Sequence, residues 1–182
     1  MKYTIREAEE SDIPAIRPLI EESVRILAAD DYSQEQIKGA LLSAWGVDTQ
    51  LICDKSYFVV ENEADLIGCG GWSYRATLFG NDSESNRDSK LLNPQVDPAK
   101  IRAFFVKPSY ARQGIGSMIM ERCERAAREK GFSSLELMAT LPGQRLYARH
   151  GFEPGEAIEY PLGSKLSIKF VPMRKELREQ AG

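Results

Sequence analysis

The sequence predicts an α/β fold in one domain, with strands and amphipathic helices alternating along the chain. Three observations carry this. A hairpin pattern, Ser56 to Tyr74, is followed by an apolar strand running into Phe104-Phe105-Val106. That strand meets a turn at Pro108, a basic glycine loop Arg112-Gln113-Gly114-Ile115-Gly116-Ser117, and a helix. The same order then recurs, with a strand at Ser134–Thr140 and a short helix ending Leu146-Tyr147-Ala148-Arg149-His150-Gly151-Phe152. At 182 residues the chain fits one domain, residues 1–182, with a proper core.

Tyr3 to Glu7 alternates as a first strand. Ser11 can cap a helix that carries Asp12 and Pro14 in its first turn and repeats apolar residues from Ile16 to Leu27. Pro18 removes one hydrogen bond and should bend or interrupt it. Ser33 with Gln36 makes a capping box for a helix through Ile37, Ala40 and Ala44, ending near Trp45-Gly46. Strands at Ser56–Glu61 and Leu66–Tyr74 flank the turn Asn62-Glu63-Ala64-Asp65. The least patterned stretch, about 75–98, is polar and reads as an inserted loop, and connections of this length are functional or disordered. Lys100 to Val106 is the next strand, and Ser117 to Lys130 is a helix with Ile119, Met120, Cys123 and Ala127 on one face. After Phe152, strands are expected at about Glu156–Tyr160 and Leu166–Met173, then a polar tail after Arg174.

A strand feeding a glycine-rich helix start aims unpaired backbone N–H groups at one point, a seat for phosphate or pyrophosphate. Gly114 and Gly116 keep side chains away from those amides. The same glycines could instead only solve a tight strand-to-helix turn. No Gly-Lys-Ser/Thr ending makes this a Walker A loop, and Ile119 stands where a dinucleotide fingerprint needs its third glycine.

The strand, arginine-glycine loop and helix, second strand, and helix ending Tyr-x-x-x-Gly-Phe together resemble the GNAT-type N-acetyltransferases. Their loop pattern is Q/R-x-x-G-x-G/A. Gly114 and Gly116 fill its last two positions, Ala111 stands at the first, and Arg112 follows one place later. Where relatives often have Asn and Ala ahead of the tyrosine, this chain has Thr140 and Gly143. The resemblance runs from about Tyr3 through Arg174. It implies a central mixed, mostly antiparallel twisted sheet of about seven strands flanked by helices, the acyl-CoA N-acyltransferase fold. It also implies acetyl-CoA as co-substrate, held by Arg112, Gln113, Gly114, Ile115, Gly116 and Ser117, with a backbone N–H of Phe105 or Val106 polarising the carbonyl.

Acetyl transfer from a thioester needs a neutral amine, a donor to the carbonyl oxygen, and a proton for the leaving thiolate. The resemblance gives the proton to Tyr147, which could alternatively be a core aromatic beside Leu146 and Phe152. It makes Glu136 a candidate base, although alternation along the strand could equally turn it to solvent. His150, the single histidine, could titrate usefully or cap a helix C-terminus. Trp72, Tyr74, Phe79 and Phe104 could line an acceptor pocket or fill the core, with Asp82, Glu84 or Asp88 holding a cation nearby.

Three separated cysteines and one histidine offer no metal constellation, so no metal is expected. A formal charge of −3 argues against a nucleic-acid binder. No run reaches membrane-spanning length and Met1 leads straight into a strand, so a cytoplasmic protein is expected, with no membrane partner. The acceptor is expected to be an amine of a small molecule or peptide, acetylated directly in a ternary complex, because no cysteine has a visible activating partner. A homodimer is compatible with this, and O-acetylation or a non-catalytic acyl-CoA sensor are the alternatives.

Overall fold

A computed structural model of the chain describes residues 3–83 and 88–177. Its strands are β1 (Thr4–Glu7), β2 (Tyr57–Glu61), β3 (Leu66–Ser73), β4 (Ala99–Val106), β5 (Ser134–Ala139), β6 (Glu153–Pro154), β7 (Ile158–Pro161) and β8 (Ser167–Glu176). Its helices are α1 (Ile13–Leu27), α2 (Gln34–Leu41), α3 (Thr49–Cys53), α4 (Ile115–Glu129) and α5 (Gln144–Arg149). The sheet runs β1-β2-β3-β4-β5-β8-β6, with β7 also on β8, and every pairing is antiparallel except β4 with β5.

That parallel pair positions the site. β4 and β5 are in register only at Ala99↔Leu135 and Lys100↔Glu136. Beyond those rungs the strands part, leaving backbone groups on the open edge of β4 that need other partners. A bulge lies at the point of parting. Gly71 faces Arg102 and Cys69 faces Phe105, so Gly70 alone opposes two residues, and Ala103 takes a φ of 56°. The bulge puts Arg102, Ala103 and Phe105 toward one face, and Phe104 and Val106 toward the other. Tyr57, fully buried, donates its hydroxyl to the Ala103 carbonyl at 3.1 Å and fixes the distortion.

Two cores sandwich the sheet. Under α4 lie Ile119, Met120, Cys123 and Ala127 with Phe58, Ile101, Leu135 and Phe152. Under α1 and α2 lie Ile16, Ile20, Ile37 and Trp45 with Tyr57, Val59 and Phe170. α1 continues through Pro18 unbroken, and burial of Ile16, Leu19, Ile20 and Val24 outweighs the one bond lost. The start of α1 also differs from expectation. A 3₁₀ turn at Glu10–Asp12 precedes it, and Asp12, not Ser11, accepts the Glu9 N–H. The Ser33–Gln36 capping box opens α2 as expected. α3 had no sequence signal strong enough to mark its five residues.

The described residues of the insert, 75–83 and 88–98, are more structured than its composition suggests. Ala76 N–H donates to the Lys90 carbonyl and Leu92 N–H to the Tyr74 carbonyl, so its two ends form a ribbon extending β3. Arg75 pairs with Asp54 through Nε and Nη2 at 2.7 and 2.9 Å. Asn81 donates from Nδ2 to the Trp45 carbonyl, and its N–H reaches the Ser43 carbonyl. Asp82 caps α3, accepting from Thr49 N–H and Oγ1.

Candidate active site

Two cavities meet where β4 and β5 part. The larger, about 340 Å³, is a groove running from the glycine loop along the open edge of β4 to α5. Its loop wall is made by backbone. Arg112 has a φ of 65° and Gly114 one of 88°, and Gly114 caps α4 in the left-handed conformation. The first-turn amides of Ile115, Gly116 and Ser117 therefore point outward without helical acceptors. Gly116 serves a close approach, since a Cβ there would lie 2.8 Å from Cδ2 of Leu146. Without that side chain α5 seats directly over the start of α4.

Phe105, Val106, Arg112, Gly114, Ile115, Gly116 and Ser117 all line this groove. Gln113 does not. Its Oε1 accepts from the Tyr3 hydroxyl at 2.6 Å and its Nε2 donates to the Ser109 carbonyl. The Val106 N–H, turned into the gap, donates to Ser23 Oγ at 3.3 Å. Ser117 Oγ and His150 Nε2 are 2.9 Å apart, so the histidine braces the loop, and burial lowers its pKa. Arg145 and Arg149 add positive charge to the same groove. Ser23 and Leu27 of α1, with Ala28 just after it, form its far wall, a contribution that sequence reasoning missed because α1 is distant along the chain.

The smaller cavity, about 80 Å³, lies on the other side of β4. Trp45, Phe104, Phe105, Thr140 and Tyr147 line both spaces and form their junction. Tyr147 stands half-buried, its ring 6.1 Å from that of Phe104 and 6.0 Å from that of Phe152. Burial pushes its hydroxyl pKa well above the ordinary tyrosine range, with the Cys123 sulfur adding to the shift. Phe79 reaches the smaller cavity from the insert, packing edge-on to Tyr160 at 4.9 Å and against Phe170 at 5.8 Å.

Other expected residues lie elsewhere. Trp72 is a core residue under α4, edge-on to Tyr74 and Phe132, because alternation along β3 turns both Trp72 and Tyr74 away from the cavities. The Tyr74 ring lies beneath Lys130 Nζ at 4.8 Å. Glu136 lines neither cavity. It sits on the last rung before the strands part, ion-paired with the buried Lys100. Asp82 caps α3, and Asp88 is engaged with the insert's own backbone, its Oδ1 accepting the Lys90 N–H and its carbonyl the Thr77 hydroxyl. Glu84 lies outside the described residues. Burial pushes the Cys69 thiol up to about 12 and raises Cys123 too, so neither is a ready nucleophile. Among the described residues no cluster of three or more metal-ligating side chains occurs, and no helix is long and apolar enough to cross a membrane.

A mixed sheet that splits at one parallel pair, with a glycine-capped helix facing the split, is the acyl-CoA N-acyltransferase fold. The chain belongs to the acetyltransferase (GNAT) domain family, which matches residues 53–154. Several solved structures share its fold. A GCN5-related N-acetyltransferase from Rhodopseudomonas palustris, also described as a class-II aminotransferase, is 17% identical with a TM-score of 0.72 over 97% of each chain. The PaiA N-acetyltransferase from Thermoplasma acidophilum, in complex with coenzyme A, is 17% identical with a TM-score of 0.66, covering 97% of this chain and 99% of that one. The yncA protein of Salmonella typhimurium, solved with its cofactor acetyl-CoA, is 15% identical with a TM-score of 0.63, covering 100% and 98%. No curated protein matches the sequence.

Proposed function

We propose that this chain is an acetyl-CoA-dependent N-acetyltransferase that transfers directly to the primary amine of a small molecule or peptide within a ternary complex. The observation carrying the reading is the junction of the two cavities at Tyr147, with a groove for an extended thioester on one side and room for an acceptor on the other. The residues present fit a pyrophosphate-bearing ligand, with a glycine cradle, outward amides and three groove arginines at 112, 145 and 149. When bound, acetyl-CoA supplies the activated acetyl group.

The chain's own residues have distinct parts. The loop amides hold negative charge at the helix start. Val106 N–H, already presented in the gap, exchanges its Ser23 partner for the acyl carbonyl oxygen and stabilises the charge that develops there. Tyr147, kept protonated by burial, donates from Oη to the departing sulfur. No side chain is assigned as base, because Glu136 is held by Lys100 outside both cavities. Thiol release from acetyl-CoA, measured with a panel of amines and alcohols, tests the reading. Turnover with an amine supports it. Tight acetyl-CoA binding with no turnover by any acceptor would leave a sensor instead, and turnover confined to alcohols would make it an O-acetyltransferase.

A further inference from the structure

The composition of the acceptor cavity narrows its substrate, on the reading that this is where the amine binds. Its lining is aromatic and aliphatic, chiefly Trp45, Leu78, Phe79, Phe104, Met138 and Phe170. No carboxylate lines it among the described residues. The one charged lining residue, Arg102, is buried and pairs with buried Asp48 at 2.6 Å while donating to the Gly80 carbonyl at 2.7 Å. That pair is neutral as a unit and is committed to holding the insert in place. The described acidic residues of the insert that could have met a cation are bound elsewhere, Asp82 on α3 and Asp88 on the insert's backbone.

Two exclusions follow from the physics. A second ammonium placed here would be desolvated without a counter-charge, which is among the costliest things a cavity can accommodate. An acceptor carboxylate would find only a guanidinium already paired with Asp48. Size adds a third constraint. At about 80 Å³ the space is roughly half of a cavity that takes a benzene ring, which is about 150 Å³. We infer that the preferred acceptor is a compact aliphatic monoamine, with one amino group directed at the Tyr147 junction and a short branched apolar remainder against Phe79, Met138 and Phe170.

Acetyl transfer by the full chain should be compared for isobutylamine, valine, spermidine, phenethylamine, kanamycin and an alanine tripeptide at equal pH. Valine differs from isobutylamine only by its carboxylate, spermidine tests added charge, and phenethylamine tests size. The expected result is a kcat/KM for isobutylamine at least tenfold above each of the others. Phe79→Leu and Phe79→Ala should then raise the phenethylamine-to-isobutylamine ratio at least fivefold, with retained acetyl-CoA binding showing that the variants fold. Spermidine, kanamycin, valine, phenethylamine or the peptide matching or exceeding isobutylamine would overturn the inference while leaving the acetyltransferase reading intact. An unaltered ratio in a folded Phe79→Leu protein would also overturn it. Absence of transfer to every amine would overturn the N-acetyltransferase reading and this inference together.

Discussion

The two sides of the β4–β5 split are built from different materials. The groove side is largely backbone, a left-handed Gly114, outward helix-start amides, and Gly116 small enough to admit Leu146. The acceptor side is side chain, contributed by the α2–α3 connection, the insert, β4, β5 and β8. Backbone recognition tolerates change in most side chains but not in glycine. A side-chain cavity behaves in the opposite way, because any lining substitution reshapes it.

The largest effect belongs to the junction, where both materials meet. Tyr147→Phe keeps the ring contacts with Phe104 and Phe152 and removes one proton. Loss of a general acid costs about 10²–10⁴-fold in kcat. Acetyl-CoA affinity should change little, because the hydroxyl is needed only as charge develops on sulfur. The pH dependence follows from the direction of the shift. Burial raises the tyrosine pKa, so the protonated form persists through the ordinary range, and an alkaline limb due to this residue falls above pH about 10. A variant with wild-type kcat would reduce Tyr147 to packing.

Next comes the backbone side. Gly116→Glu or Gly114→Glu should weaken acetyl-CoA binding by at least tenfold, because several charge-assisted bonds worth roughly 1.5–3 kcal/mol each are blocked. Arg112→Ala removes a single charge at the surface and should cost about fivefold or less. Gly114→Ala sharpens the contrast. No atom lies within 4 Å of a Cβ at that position, so only the 88° φ is penalised. It should lower thermal stability by about 1 kcal/mol while affinity holds. Calorimetric titration of the four variants checks the order, and equal affinities throughout would break the distinction between the two sides.

The same division explains what could be read in advance. The geometry of the loop was legible because it rests on Gly114 and Gly116, residues whose conformational freedom is visible in the sequence itself. The capping box at Ser33 was legible for the same reason, since its partners are three residues apart. Trp72 and Tyr74 were not, because a large aromatic looks alike in a core and in a pocket, and only the bulge in β4 and the phase of β3 decide which face it joins. Glu136 resisted similarly. Its neighbour in the fold, Lys100, lies on another strand, and the register that joins them is set by where the parallel pairing stops. Ser23 and Trp45 reach the site from elements far away in sequence, with no local pattern to mark them.

Trimming the insert tests the side-chain half alone. Replacing Phe79–Asn93 by a short turn removes Phe79 from the cavity and Asp82 from its cap on α3. The acceptor KM should rise about tenfold, in line with the loss of contacts shared by ground and transition states, with acetyl-CoA affinity within about twofold. Because Asn81 and Arg102 also anchor this segment, the milder Phe79→Leu serves as the control for stability. Equal acceptor kinetics in trimmed and intact proteins would make the insert a surface feature and move selectivity to β8 and the α2–α3 connection.

The smallest effect on activity is expected at Glu136, which distinguishes proximity in sequence from proximity in the site. Glu136→Gln removes the ion-pair partner of the buried Lys100 ammonium and leaves Asp97 to support its charge, while both cavities and the Tyr147 junction are untouched. Burial already lowers the Lys100 pKa, and without the carboxylate the charged form becomes harder still to keep. A lysine whose folded pKa lies below its unfolded value takes up protons on unfolding. Its contribution therefore makes the fold less stable as pH falls below the unfolded pKa, and that slope continues down to the folded one. The variant should thus lose stability, by roughly 1–3 kcal/mol at pH 7, and regain part of it toward pH 10 as Lys100 becomes neutral. Its kcat, measured at a temperature where it remains folded, should stay within about twofold of wild type. Thermal melts at pH 7 and pH 10 beside steady-state kinetics separate the two effects. A hundredfold fall in kcat with unchanged melts would return Glu136 to the chemistry as the base, and the gap between β4 and β5 would then have to open one rung earlier than Lys100↔Glu136.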